Sequence, residues 1–244
     1  MGRPVVFVTP HPDDEVLGFS VQLWRHVAAG RDVHILTLTR GIGTRVIDEL
    51  NGTTVNTNWW KVRHNPALEG YAPLDPAAIG RARMREQQAA CAAVGIPASH
   101  IHEANLPDDL NVTVDQVKAA IVALADTLPP DPGLWATSYL VDGHPTHLAA
   151  GQAVRELGRE QPTRFRDRRY VVLRTYWNDP RLTQVAETVG GPASAEERDR
   201  TINAARAYGA WQPRSGAFAI GNHSTSTLFG LALTDPKVMV HRDS

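Results

Sequence analysis

Two short segments of the 244-residue chain group side chains whose types and spacing could do chemistry. The first is Thr9-Pro10-His11-Pro12-Asp13-Asp14-Glu15. His11 and Asp14 stand three positions apart across a Pro-containing turn, so an imidazole and a carboxylate can reach one ion. That donor pair suits Zn²⁺ and related divalent metals. Asp13 then stands beside the ion as a candidate general base, because a carboxylate near metal-activated water can take its proton during attack. A competing reading makes Asp-Asp-Glu a helix cap that complements the helix dipole. Glu15 fits that role best, with a hydrogen bond to His11 as an additional one. The second segment is Asp142-Gly143-His144-Pro145-Thr146-His147. His144 and His147 lie at i and i+3, and Pro145 suits the first helical turn. One imidazole can complete a three-ligand site with a position left for water, as catalytic zinc requires. The other can donate to a developing oxyanion or protonate a leaving amine. Alone, a His pair at a helix start reads as capping; two His-rich turns, each between a strand and a helix, are more specific than either.

The elements that must position these turns are legible as alternating strands and helices. Val5 to Thr9 is a continuous β-branched and aromatic run, as expected of a strand buried on both faces. Val16 to Ala29 reads as a helix stopped by Gly30, and Val33 to Thr39 as a second strand, which together make a βαβ unit. Arg40 to about Pro76 shows no clear period, and long irregular segments in compact domains are often functional. Then follow helix Ala77 to Gly95, strand Ile101 to Ala104, helix Thr113 to Thr127, strand Leu134 to Leu140 and helix Pro145 to Gly158. Strand Tyr170 to Trp177, helix Ala195 to Trp211 and late strands Thr227 to Leu233 and Val238 to His241 complete the pattern. This order predicts an α/β fold: a Rossmann-like, mostly parallel sheet with helices on both faces and a smaller C-terminal extension of the sheet. It reads as one domain over 1–244, with a core over 1–160 and a pocket-shaping part over 161–244. Ligands belong at the carboxyl ends of the strands, where both His-rich turns fall.

Composition narrows the function classes. With 25 Lys+Arg against 26 Asp+Glu, the net charge is −1. That argues against a nucleic-acid or anionic-membrane binder. A single Cys excludes a disulfide framework within the chain and any Cys-rich metal cluster. Cys91 sits in an Ala-rich helix, where it reads as a small buried thiol rather than a nucleophile. The N-terminal apolar run Val5 to Thr9 is too short for a signal-peptide core, and no run approaches the roughly 20 residues that span a bilayer. The expected location is the cytoplasm.

These residues resemble the PIG-L/LmbE-like family of zinc-dependent de-N-acetylases. The resemblance is close over roughly the first 160 residues and looser beyond. The family opens with a strand followed by His-Pro-Asp-Asp-Glu, as in His11 to Glu15 here, and later has His-Pro-Asp-His, matched by His144-Pro145-Thr146-His147. Its Arg-x-x-Glu helix matches Arg83-Met84-Arg85-Glu86 through Val94-Gly95, and its Leu-Pro-Asp turn matches Leu106-Pro107-Asp108. The resemblance implies that His11, Asp14 and His147 bind Zn²⁺, with Fe²⁺, Co²⁺ or Mn²⁺ suited to the same donors. Asp13 would be the general base, and His144 the oxyanion donor or the acid. Arg83, Asp108 and Glu15 would contact substrate or support the site. The implied reaction is hydrolysis of an N-acetyl or other N-acyl amide on an amino sugar or glycoconjugate. An amidase for a specialised metabolite is the rival enzyme, and a silent metal- or sugar-binding protein the rival of another class. Two departures stand out. Leu17-Gly18-Phe19-Ser20 replaces a Gly-Gly pair, which implies a different helix approach or pocket wall. Thr146 replaces an Asp, which implies that a carboxylate orienting a ligand His is missing.

Other features carry less. Trp59-Trp60 reads as a sugar-stacking pair or, equally, as a core plug. Arg40-Gly41-Ile42-Gly43-Thr44 is placed to line the pocket but lacks phosphate-loop spacing. Asn222-His223-Ser224 can lie near the site. His26, His34, His64, His100, His102 and His241 show no partner pattern, and Arg164 to Arg169 reads as a solvated loop.

Overall fold

The computed structural model describes residues 2–107, 111–185 and 187–243. Its strands are β1 (Val5–Thr9), β2 (Val33–Thr37), β3 (Ile101–Glu103), β4 (Gly133–Thr137), β5 (Arg168–Val172), β6 (Glu187–Gly190), β7 (Trp211–Gln212), β8 (Ala217–Phe218) and β9 (Val238–His241). Seven form one sheet in the order β3-β2-β1-β4-β5-β9-β6, and β7 pairs with β8 separately. β3, β2, β1, β4 and β5 run parallel, and β9 is antiparallel to both β5 and β6. The antiparallel pair is the C-terminal extension that the sequence predicts.

The helices are α1 (Asp14–Leu17), α2 (Ser20–Ala28), α3 (Val46–Leu50), α4 (Pro66–Glu69), α5 (Pro76–Ala93), α6 (Val114–Ala125), α7 (Pro145–Glu160), α8 (Ala195–Ala207) and α9 (Ile220–Thr234). Their starts follow local chemistry. Asp75 caps α5 by accepting from Ala78 N, with Pro76 in the first turn, and Thr113 and Gln116 form a capping box on α6. All five residues of β1 are buried, because both its faces are covered. Val6 and Val8 pack with α6 and α7 through Val117, Ile121, Ala153 and Leu157. Val5 and Phe7 pack with α2, α5 and α8 through Leu23, Ala90, Cys91 and Ala205. Cys91 is fully buried, and burial pushes its thiol pKa up, as suits an inert residue. No helix among the described residues is long and apolar enough to cross a membrane.

The structure corrects several sequence expectations. The helix predicted over Val16 to Ala29 is two helices, α1 and α2, broken at Gly18-Phe19. Phe19 is fully buried with its ring edge-on to Phe7, 5.5 Å away. It belongs to the core, and the pocket wall at this turn is Leu17 instead. The segment read as irregular contains α3 and α4. Thr227 to Leu233, expected as a late strand, lies within α9. There Phe229 packs fully buried against Tyr208, 5.0 Å away, and this tertiary contact overrides weak local preference. β6 went unpredicted because it lacks a buried apolar run; Val189 is exposed.

Phe19→Ala is expected to destabilise the fold by about 3–5 kcal/mol, the usual cost of emptying a buried Phe site. Urea unfolding measures the loss, and metal affinity should be unchanged because Phe19 does not face the cavity.

Candidate active site

Parallel pairing of β1 with β4, in the register Phe7↔Trp135, sends both His-rich turns off the same end of the sheet side by side. Helix α7 packs so closely over the β4 exit that a Cβ on Gly151 would lie 2.5 Å from the Thr137 carbonyl oxygen. Thr137 Oγ1 also donates to the His147 carbonyl at 2.7 Å, which fixes the first turn of α7.

Three predicted donors converge. His147 Nε2 lies 3.2 Å from His11 Nδ1 and 3.4 Å from Asp14 Oδ2, and His11 Nδ1 lies 3.5 Å from Asp14 Oδ2. Donors about 2.0–2.1 Å from a tetrahedral zinc stand about 3.3–3.4 Å apart, so the triangle has the size such an ion requires. His11 N–H donates to Asp14 Oδ2 at 2.9 Å and sets the turn. The local field favours positive charge at this point. Burial alone would lower the His147 pKa, but Asp14 and Asp142 outweigh it and raise the value to about 9. Burial alone would raise Asp14, but His147 and His11 outweigh it and hold the carboxyl at about 2. A divalent ion in place of a proton suits these residues.

Asp142 corrects a second expectation. Thr146 does remove one carboxylate, yet Asp142 Oδ2 lies 3.0 Å from His147 Nδ1, and its Oδ1 accepts from His144 N at 2.9 Å. The orienting carboxylate therefore sits four residues earlier in the same turn. The signal for Asp142 in the sequence is its closeness to His144 and His147.

Asp13 sits beside the donor triangle with backbone φ 127° and ψ −29°. A non-glycine residue holds such a conformation only under external constraint. The constraint is visible. Asp13 N–H donates to Glu15 Oε2 at 3.0 Å, Gln87 Nε2 donates to the same oxygen at 3.1 Å, and the Tyr208 hydroxyl donates to Glu15 Oε1. Glu15 therefore braces the turn from below by accepting from the N–H of Asp13, the N-cap residue of α1, and no hydrogen bond joins it to His11 among the described residues. Burial pushes its carboxyl up to about 7 despite these bonds. Asp13 makes no side-chain cap bond. Its Oδ2 accepts from Arg83 Nη2 at 3.0 Å, and Arg83 also donates to the Pro12 and Gly41 carbonyls at 2.7 and 3.0 Å. Burial raises the Asp13 pKa to about 7, with Arg83 opposing. Gly41, with φ 63°, is required here, since a Cβ would meet the Arg83 guanidinium at 2.5 Å.

His144 caps α7: its Nδ1 accepts from Thr146 N at 3.3 Å. That bond places the ring proton on Nε2. Burial, with His11 and His147 nearby, lowers its pKa to about 4, so at neutral pH it is a neutral N–H donor. His11, Asp13, Asp14, Arg83, His144 and His147 all border one cavity of about 330 Å³. Gly41, Gly43 and Thr44 line another part of it, as their position after the second strand predicts, with Ser224 and Thr225 nearby and Leu17, Leu173 and Leu228 as apolar wall. Asp108 lies outside the described residues.

Trp59 and Trp60 do not line this cavity. His64, without a partner pattern in the sequence, stacks against both Trp60 and Trp211 at 4.8 and 4.7 Å, and the two indoles are 4.8 Å from each other. Its Nε2 lies 3.0 Å from His223 Nε2 and its Nδ1 2.8 Å from Glu69 Oε2. The cluster ties the long segment to α9 immediately before Ser224. Glu86 holds the start of α9, accepting from Ile220 N at 2.7 Å and Gly221 N at 3.1 Å.

Two predictions arise here. Asp142→Ala is expected to weaken Zn²⁺ affinity about 10–100-fold, measured against a competing chelator. Burial raises the Glu86 pKa from 4.5 to about 8, so its favourable contribution to stability is full below pH 4.5 and is lost as pH rises through 8. The stability of wild type relative to Glu86→Gln should therefore fall across that window in chemical denaturation.

Comparisons with known proteins identify the family and the fold. The model of the PIG-L family, GlcNAc-PI de-N-acetylase, matches residues 6–157. The 1D-myo-inositol 2-acetamido-2-deoxy-alpha-D-glucopyranoside deacetylase of Rhodococcus opacus (strain B4) is 29% identical over 163 residues, covering 62% of this chain and 52% of that protein. The chain thus spans about half the length of that relative. Among solved structures, the A40926 pseudoaglycone deacetylase Dbv21 aligns at TM-score 0.63 and 16% identity, covering 99% of this chain and 97% of that one. The N,N'-diacetylchitobiose deacetylase of Pyrococcus horikoshii aligns at TM-score 0.56 and 14% identity, covering 98% and 83%. These two likenesses establish the fold. With the family model matching across both His-rich turns and the strands that carry them, the chain belongs to the PIG-L (GlcNAc-PI de-N-acetylase) family.

Proposed function

We propose that this protein is a metal-dependent N-deacetylase that hydrolyses the acyl amide of an N-acetylated amino sugar or glycoconjugate to a free amine and acetate. The observation that carries this reading is the donor triangle of His11, Asp14 and His147 with the Asp13 carboxyl beside it, all on one cavity. The acetamido-sugar named for the Rhodococcus relative supports the substrate class. A divalent metal held by the triangle, Zn²⁺ in this reading and Fe²⁺, Co²⁺ or Mn²⁺ by donor chemistry, would supply Lewis acidity toward the acyl carbonyl and the attacking water.

The chain's own groups do the rest. Asp13 accepts a proton from the attacking water, and Arg83 holds the carboxylate in place for it. The pKa near 7 matches a base working at neutral pH. His144 donates its Nε2–H to the oxygen on which negative charge develops. The proton gained by Asp13 is the one the leaving nitrogen requires, so the base returns to its carboxylate form. Arg83 and Glu15 act as supports of Asp13. Residues 161–244 are the pocket-shaping part of the domain, contributing Leu173, Ser224, Thr225 and Leu228 to the wall.

A second reading is an amidase for a larger acyl group. The apolar wall of Leu17, Leu173 and Leu228 favours it, since a bare acetyl needs little such surface. Acetate release from N-acetylglucosaminides, compared with hydrolysis of matched longer-chain amides, separates the two.

Asp13→Asn should lower turnover at least about 100-fold while the metal content stays that of wild type. Near-normal turnover in this variant would overturn the assignment of the base. Failure of the wild-type, metal-loaded protein to hydrolyse either amide class would overturn the function.

A further inference from the structure

A second group of imidazoles lies at the other end of the sheet. It surrounds the start of β2 and the edge strand β3. The length of β2, about 15 Å at about 3.3 Å per residue, separates it from the cavity-lining turn at Gly41. His34 Nε2 is 3.3 Å from Asp32 Oδ2, and His100 Nδ1 is 3.5 Å from Asp32 Oδ1. One donor atom from each of Asp32, His34 and His100 lies within 4.8 Å of the others. Behind them, His34 Nδ1 lies 3.1 Å from His102 Nε2, and His100 Nδ1 lies 3.1 Å from the Val33 carbonyl oxygen.

The proton count at His34 is the informative feature. His34 is 6% exposed, and its Nε2 is buried without a hydrogen-bond partner, although a carboxylate oxygen stands 3.3 Å away. One proton fits between His34 Nδ1 and His102 Nε2. When His34 supplies it, the ring turns a bare lone pair toward the Asp32 carboxylate, and two acceptors face each other with nothing between them. When His102 supplies it, the His34 Nε2–H faces the Asp32 carboxylate at 3.3 Å without a well-formed hydrogen bond. A buried polar atom left in this condition calls for a partner such as a water or an ion. A cation satisfies the first arrangement directly, because it binds the lone pair and the carboxylate together.

We propose that Asp32, His34 and His100 form a second divalent-metal site, of the class that takes Zn²⁺, distinct from the donor triangle of His11, Asp14 and His147. Two imidazoles and a carboxylate are a borderline donor set that suits Zn²⁺ and its neighbours. His102 orients His34 through its other ring nitrogen, as outer partners of metal-bound imidazoles do. His100 is the adjustable donor. It closes the 3₁₀ turn Ala98–His100, its side chain is 31% exposed, and its ring now stacks on His34 with centroids 4.4 Å apart. Coordination requires this ring to leave the stack and its contact with the Val33 carbonyl. Burial keeps His34 below its ordinary pKa, so it is a neutral ligand at neutral pH. A metal here would join the start of β2 to the turn that enters β3, holding the edge strand to the sheet.

The test reads metal stoichiometry and leaves catalysis aside, so it stands or falls separately from the proposed function. Metal-free wild-type protein titrated with Zn²⁺ against a chromophoric chelator should bind two equivalents. The His11→Ala/His147→Ala variant should bind one, and Zn²⁺ should still raise its melting temperature. Adding His34→Ala or His100→Ala to that variant should abolish both signals. The exposed His100 keeps the test decisive if His34→Ala does not fold. Absence of Zn²⁺ binding in the His11→Ala/His147→Ala variant would overturn the proposal. So would an undiminished equivalent after His100→Ala is added.

Discussion

The parallel neighbourhood of β1 and β4 is the constraint on which the candidate active site depends. The two His-rich turns are more than 120 residues apart in the chain, and neither holds three donors alone. Strand pairing places their exits one strand spacing apart, about 4.8 Å, which is within side-chain reach of a common point. The register Val5↔Gly133 through Phe7↔Trp135 then fixes which residues emerge together. A slip of one residue would turn every β1 side chain to the opposite face and separate His11 from His147. Burial of β1 on both faces makes such a slip costly, so the core that stabilises the sheet also fixes the spacing of the donors.

Beneath the donors lies a layer of buried polar groups rather than apolar packing. Arg83, Glu86 and Gln87 project inward from one side of α5, where an ordinary core helix would present leucines. Each has a defined partner: Arg83 holds Asp13, Gln87 holds Glu15, and Glu86 holds the start of α9. Such networks are costly unless fully satisfied, and when satisfied they rigidify what they touch. Here they hold Asp13 in a backbone conformation it would not adopt alone. The strain at that turn is the physical counterpart of its placement beside the donors.

The wall facing the donors is assembled differently. Helix α9 and the segment between β2 and α5 share a small buried apolar cluster in which Val46 and Leu50 pack with Ile220. They are joined by the aromatic and imidazole cluster of Trp60, His64, Trp211 and His223. Trp59 and Trp60, which could be read as a sugar platform, are structural in this arrangement. The cavity wall comes instead from Leu17, beside the first His-rich turn, and from Leu173, Leu228, Ser224 and Thr225 in the C-terminal part.

Local sequence determined what local spacing can determine. His11, Asp13 and Asp14 share one turn and His144 and His147 another, so their identity as a set is written in five- and six-residue windows. The buried strand β1 and the capped helices α5 and α6 are legible for the same reason: propensity, caps and periodicity act over a few residues. Tertiary structure alone decided the rest. Tyr208 reaches Glu15 across 193 positions, and Arg83 reaches Asp13 across 70. Neither pairing leaves a periodic trace, because their distances follow from strand order and helix packing. Asp142 is the intermediate case, local in sequence yet assigned to His147 only by the direction in which the turn leaves β4. α9 shows the same limit from the other side, for its Thr-rich stretch is helical in the fold, where Phe229 packs against Tyr208.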